Sequence, residues 1–178
     1  MVAETDYRYC PMCRAALTSA MRGGEMRLVC PDCAFVHWRN PVPVVAAVVE
    51  RSDRVILVHS IGRPAHWYGL VAGFLERGEH PEAAIVREVG EELGLAGRLE
   101  GTIGVYSFER LNQVIFAYHV RVPDGAIRLA ADELDDYKEV PLARLRPWPQ
   151  GTGPALRDWL AARGYDPPIV AFGTPLEL

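Results

Sequence analysis

The chain has 178 residues, 49% of them hydrophobic, and a formal charge of −4, which suits one main domain with a core plus a small appendage. The acidic balance offers no electrostatic footprint for nonspecific nucleic-acid binding, so a nucleic-acid partner is not expected. No apolar run has the length to span a membrane, and the expected setting is cytoplasmic.

Three segments follow one another: residues 1–40, 41–150 and 151–178. The first carries Cys10, Cys13, Cys30 and Cys33 as two CxxC pairs separated by sixteen residues. Pro11 and Pro31 favour tight knuckle turns, and Gly23-Gly24 lets the chain reverse between the pairs. This spacing predicts a small zinc ribbon, whose four thiolates leave no open position for water and so make the Zn²⁺ structural. Two disulfides are the competing account; the absence of a signal peptide and the apparent intracellular setting disfavour them. His37 reads as an ordinary ribbon or linker residue.

In the second segment, residues 44–50 are rich in β-branched side chains and predict a buried strand, with residues 54–59 as its partner across a turn at 51–53. Residues 67–74 supply a further strand, and residues 102–107 and 113–122 two more, separated by a polar break at 109–112. Residues 157–163, with Trp159 and Leu160, predict a short closing helix.

Residues 73–95 read GFLERGEHPEAAIVREVGEELGL. Pro81 suits a first helical turn and Gly94 the position past a helix end. Ile85, Val86, Val89 and Leu93 form an apolar stripe at 100° per residue, with Ala84 among the glutamates. Glu88, Glu91 and Glu92 stand at i, i+3 and i+4, so their carboxylates crowd together, at a cost of roughly 0.2–0.5 kcal/mol per like-charged pair. A divalent cation would turn that repulsion into a site, and hard oxygen ligands suit Mg²⁺ or Mn²⁺. A merely solvated acidic face is the alternative. Glu79 and Arg87 are placed to pair and fix the preceding loop.

The segment resembles the Nudix box: Gly73, Glu79, Arg87, Glu88, Val89, Glu91, Glu92, Gly94 and Leu95 fill every defined position. The resemblance implies an α+β fold, an α/β/α sandwich with a mixed β-sheet, and metal-dependent hydrolysis of a nucleoside diphosphate linked to another moiety. It also implies Glu88, Glu91 and Glu92 as metal ligands, the Ala72 carbonyl as a further one, and a later loop carboxylate as ligand or base. Glu133 in LAADELDDYKEV takes that last place; Glu109, Asp132, Asp135 and Asp136 are the competitors, and a solvated acidic turn is the alternative.

Cysteine pairs followed by HWRNPVPVV and then by the box resemble the zinc-ribbon branch of the family over about residues 10–145. That branch implies NADH, FAD or ADP-ribose as substrate. NADH pyrophosphatases usually carry Ser-Gln-Pro-Trp-Pro-Phe-Pro downstream of the box, where this chain has GVYSFERLNQVIFAY, so it looks more like the FAD- or ADP-ribose-cleaving relatives. Trp67, Tyr68, Tyr106 and Phe108 are candidate base-stacking residues, and Arg63, Arg110 and Arg121 candidate phosphate clamps; core packing and solvated arginines are the alternatives. The expectation is a pyrophosphohydrolase releasing AMP and a second phosphorylated product, open to homodimerisation. The other readings are a non-catalytic nucleotide sensor on the same fold and an RNA-end hydrolase whose ribbon recognises the chain.

Overall fold

A computed structural model describes residues 7–175, and the chain divides into two compact units after Asn40. In the first, β1 (Thr18–Arg22), β2 (Glu25–Val29) and β3 (Val36–His37) form an antiparallel sheet in that order. Gly23 and Gly24, with φ of +60° and +85°, make the two-residue turn between β1 and β2. Two successive positive φ angles give a turn whose twist matches that of the flanking strands, which is why glycines stand there.

The second unit is a mixed sheet between two helices. Its strands are β4 (Val42–Arg51), β5 (Arg54–Ser60), β6 (Tyr68–Gly69), β7 (Val71–Phe74), β8 (Arg98–Phe108), β9 (Gln113–Arg121) and β10 (Leu134–Pro141). The main path runs β10-β5-β4-β9-β8, with β4 and β9 parallel and the other neighbours antiparallel. The end of β4 pairs with β5 while its first half pairs with β7, and β6 pairs with the end of β5. The β6–β7 segment therefore fills the wedge where β4 and β5 diverge, and the box begins from that wedge.

Alternate residues of a strand face opposite sides of a sheet. Val45, Ala47 and Val49 pack with Ile85, Val89 and Leu93 of α1 (Pro81–Leu93). Val48 joins Trp159 and Leu160 of α2 (Gly153–Ala161) on the other face. Both faces of β4 are covered, so its run is apolar throughout rather than alternating. Each fully buried aliphatic side chain here contributes about 1.5–3 kcal/mol relative to exposure. The layers are those expected: helix, mixed sheet, helix. Residues 151–175 belong to the second unit.

Three boundaries differ from expectation. α2 begins at Gly153, ahead of the predicted 157, because Gly153 lies against Trp148: a Cβ there would stand 1.9 Å from the Trp148 carbonyl oxygen. β8 runs from Arg98 to Phe108, with register shifts after Leu99 and Thr102 that break its alternation. β10 stands where the sequence suggests an acidic turn; it is an edge, and its charged residues 135, 136, 138 and 139 are tolerated there. No helix among the described residues is long and apolar enough to cross a membrane.

Candidate active site

The helix that carries the glutamates buries a wider arc than the apolar stripe alone. Ala84, Glu88 and Glu92 form one i, i+4 row beside Ile85, Val89 and Leu93, and all six are buried. Ala84 lies fully in the core with Ile85 and Val89. Glu88 and Glu92 are 8% and 5% exposed, whereas the side chain of Glu91 keeps 58% of its surface. The three carboxylates thus span the rim of the helix, two turned inward and one outward.

Gly73 of β7 makes room for Glu88. A Cβ at position 73 would lie 2.1 Å from the Glu88 carboxyl carbon, a distance no side chain can occupy. The loop after β7 is fixed by Arg87, whose Nε and a terminal nitrogen donate to the two Glu79 carboxylate oxygens at 2.8 and 3.0 Å. Arg87 also donates to the Phe74 carbonyl and lies 2.7 and 2.9 Å from the carboxylates of Glu91 and Glu88. The Arg87 hydrogen bond holds the Glu79 carboxyl below its ordinary value. The pairing that the sequence suggested for Glu79 and Arg87 is present.

Glu92 is the most perturbed of these acids. Burial pushes its carboxyl up to about 8, the charges of Glu88, Glu133 and Glu91 add to this, and the Ala72 backbone hydrogen bond opposes it. Burial raises Glu88 too, with Arg87 acting against it and Glu91 and Glu133 reinforcing it. Glu92 Oε2 is buried and has no hydrogen-bond partner. A buried acceptor left unsatisfied costs the full desolvation of that group, about 1–3 kcal/mol or more. The donor set is therefore oxygen-only, acidic and incompletely satisfied, which is the chemistry a hard divalent cation fits.

A cleft of about 390 Å³ opens on this carboxylate. Its polar lining is Ser60, Arg63, Asp132, Glu133 and Glu92, with Ala72 of β7 beside them. Backbone bonds bring the late acidic segment here: the Arg128 and Ala130 amides donate to the carbonyls of Leu93 and Glu92, and the Ile61 amide to that of Glu133. The other late acids are engaged: Asp135 with His59 Nδ1 at 2.5 Å, and Asp136 with the Tyr68 hydroxyl. Glu109 lies in a 3₁₀ turn between β8 and β9, at the far end of the strand order from β10.

Of the seven candidate substrate contacts only Arg63 lines the cleft, and Arg121 is paired with Glu50. Trp67 packs edge-on against Phe172, with ring centroids 5.3 Å apart. Tyr68 is buried beneath Lys138, whose ammonium lies 4.7 Å from the ring centroid. The Tyr106 hydroxyl donates to Asp158 of α2 at 2.9 Å, and Phe108 packs with Val44, Ala46 and Ile115. Arg110 lies in the exposed 3₁₀ turn. Sequence reasoning passed over Ser60 and the His59 tie to Asp135; an isolated Ser or His in a strand carries no periodic signal.

In the ribbon, the ligand atoms of Cys10, Cys13, Cys30 and Cys33 all lie within 4.8 Å of one another, and the four cysteines are free of disulfides. The Cys10–Cys33 and Cys13–Cys30 sulfurs are 3.6 and 3.4 Å apart. Burial works against ionisation of Cys10, but backbone N–H groups of Cys13 and Met12 bring its thiol down to about 7. Four converging sulfurs with backbone donors suit a tetrahedral thiolate-bound metal.

A family profile described as NUDIX domain matches residues 40–162. The NAD-capped RNA hydrolase NudC of Pseudomonas putida is 29% identical over 169 residues, covering 94% of this chain and 60% of that protein. Its counterpart in Pseudomonas aeruginosa is 29% identical over 142 residues, covering 80% and 50%. The chain thus spans about half to three fifths of the length of these curated relatives. Among solved structures, a NUDIX hydrolase from Nitrosomonas europaea aligns with a TM-score of 0.73 at 21% identity, over 93% of this chain and 97% of its own. An ADP-ribose pyrophosphatase from Streptococcus suis aligns at 0.58 and 17% identity, over 74% and 100%. At these identities the structures speak for the fold, and the profile together with the filled box decides the family: this chain belongs to the NUDIX family.

Proposed function

We propose that this chain hydrolyses the pyrophosphate of an ADP-containing nucleotide derivative, such as FAD, ADP-ribose or NADH, to AMP and a second phosphorylated product. The observation that carries the reading is the buried Glu92 carboxylate, with its unpartnered Oε2, facing a cleft that also holds Glu133. Glu88, Glu91 and Glu92, with the Ala72 carbonyl, would hold Mg²⁺ or Mn²⁺. When bound, such ions neutralise phosphate oxygens and make a water nucleophilic near neutral pH.

The chain's own groups account for the rest. Arg63 is the cation in an otherwise acidic lining, placed to receive a phosphate oxygen. Glu133, on a loop rather than the helix, is free to take a proton from the attacking water. The water oxygen bonds to one phosphorus, the bridging P–O bond breaks, and its electron pair leaves with the second phosphate. The ribbon cysteines would hold Zn²⁺ structurally.

The names of the curated relatives favour a second substrate form, an NAD-like cap at the end of an RNA. Such a cap contains the same pyrophosphate, so the two readings share a cleft and differ only in what extends from it. The initial expectation against a nucleic-acid partner therefore gives way to a test. The chain is assayed on FAD, ADP-ribose, NADH and NAD-capped RNA with Mg²⁺ and with Mn²⁺, products being identified by mass. AMP from the small substrates supports the first reading, and preferential decapping the second. No turnover on any substrate with either ion would leave the sensor alternative and end the proposal.

A further inference from the structure

A second cavity, of about 130 Å³, shares no lining residue with the acidic cleft. Its wall is aromatic, with a buried floor and an exposed side: Tyr68 and Trp148 are in the core, and the exposed Phe172 stands against Trp148 with centroids 5.1 Å apart. Its remaining polar lining is two guanidinium groups, Arg144 and Arg146, with the His66 imidazole and Thr174. Arg144 and His66 are exposed, so guanidinium charge sits at the mouth while Tyr68 and Trp148 lie within.

Arg144 and Arg146 lack the compensation found elsewhere in the molecule. Arg51, Arg87, Arg121 and Arg157 each have a carboxylate partner. His66, Arg144 and Arg146 have none among the described residues. One terminal nitrogen of Arg146 donates to the backbone carbonyls of Ala143 and Leu145, which orients the guanidinium and leaves its other N–H groups uncommitted. Asp136, which reaches the wall through Tyr68, is engaged as acceptor of the Tyr68 hydroxyl.

The wall is also constructed rather than incidental. The Val170 amide donates to the Pro147 carbonyl at 2.9 Å, tying the tail to the segment that carries Arg146 and Trp148. Gly173 has φ of +88°, and a Cβ there would lie 2.4 Å from the Trp67 ring. Only glycine lets the tail close over Trp67 in this way.

We propose that this cavity binds a mononucleotide, with its base against Trp148 and Phe172 and its phosphate on Arg144, Arg146 and His66. Planar guanidinium groups recognise phosphate through paired N–H donors, and aromatic faces stack any base. The volume is below the roughly 300–1,000 Å³ of pockets that enclose a whole drug-sized ligand. It admits one base, with the phosphate held at the rim, and not a dinucleotide. The site does not depend on the hydrolase reading.

The test uses the full chain carrying Glu92→Gln, with no added Mg²⁺ or Mn²⁺, titrated with AMP, adenosine and inorganic phosphate by calorimetry and tryptophan fluorescence. AMP should bind saturably at one site and at least about tenfold more tightly than adenosine or phosphate alone, since each supplies only half of the recognition. Arg144→Gln, at an exposed position, should weaken AMP about tenfold without altering thermal stability, and Arg63→Ala in the cleft should leave AMP binding unchanged. Absence of saturable AMP binding overturns the proposal. So does equal affinity in Arg144→Gln, or a loss of binding in Arg63→Ala.

Discussion

Gly73 and Glu88 occupy one another's space: the hydrogen on the Gly73 α-carbon points where the Glu88 carboxylate lies, and a methyl there would stand 2.1 Å from the carboxyl carbon. The box glycine is thus a matter of clearance rather than of backbone freedom. Its φ is not in the left-handed region, unlike those of Gly78 and Gly94. Gly73→Ala should displace Glu88 by about an ångström, a shift that costs on the order of 10²-fold in rate when it misplaces a reacting group. Steady-state kinetics on whichever substrate of the panel is turned over should show this loss in kcat, while circular dichroism shows an intact fold. Wild-type turnover in Gly73→Ala would remove Glu88 from the site.

Glu92 and Glu133 invite a paired comparison. Glu92→Gln keeps size and removes a buried ionisable group, one oxygen of which is unpartnered. Activity should fall by about 10²-fold or more, the scale expected for groups acting in the transition state. Melting temperature without divalent ions should hold or rise, because the variant no longer buries a carboxylate among Glu88, Glu133 and Glu91. Glu133→Gln should lower kcat with zinc content unchanged. Normal turnover in that variant, with a defect in Glu109→Gln, would transfer the distal role to Glu109.

Zinc removal concerns the first unit. Replacing Cys30 by Ser, or chelating the ion, should loosen residues 7–40, because structural zinc supplies folding energy outright to small domains. Limited proteolysis should then cut within that unit while the metal-dependent chemistry of the second persists. Purified protein that contains no zinc and carries disulfides among these four cysteines would refute the ribbon assignment.

The parts of this molecule legible in the sequence were those written in spacing. The box placed Glu88, Glu91 and Glu92 on one helix, Gly94 ended it with φ of +66°, and the cysteine intervals brought four sulfurs together. β4 was readable because both its faces are buried and its composition is correspondingly uniform. What failed to show was long-range or irregular. β8 hides its length behind two register shifts, and β10 resembles an acidic turn because an edge strand tolerates charge. The aromatics illustrate the same limit. Nothing local distinguishes Tyr106, whose hydroxyl meets α2, from a ring waiting for a base.

The last prediction follows from the buried cluster at the ends of β4 and β9. His119 Nε2 lies 2.6 Å from Glu50 Oε2, and Arg121 donates to the same oxygen at 3.0 Å. Burial, and then the charge of Arg163, hold His119 below its ordinary 6.5 despite Glu50. Glu50 is held below its ordinary 4.5: burial opposes this, but the hydrogen bonds of Arg121 and His119 prevail. Both folded values are depressed, so both groups bind more protons when unfolded, and each contributes stability that is lost as pH falls. For His119 the loss begins near 6.5, where the unfolded imidazole takes up a proton and the buried one does not. For Glu50 it begins near 4.5. His59 runs the other way: Asp135 raises it above 6.5, so its contribution is present at low pH and disappears as pH rises through the folded value. Melting temperatures between pH 5 and pH 7.5 should therefore fall toward the acid end less steeply in His119→Gln than in the parent. His59→Gln should make that acid-side fall steeper. If the His119→Gln profile parallels the parent's across this window, the imidazole is not buried neutral and the cluster titrates as a surface pair.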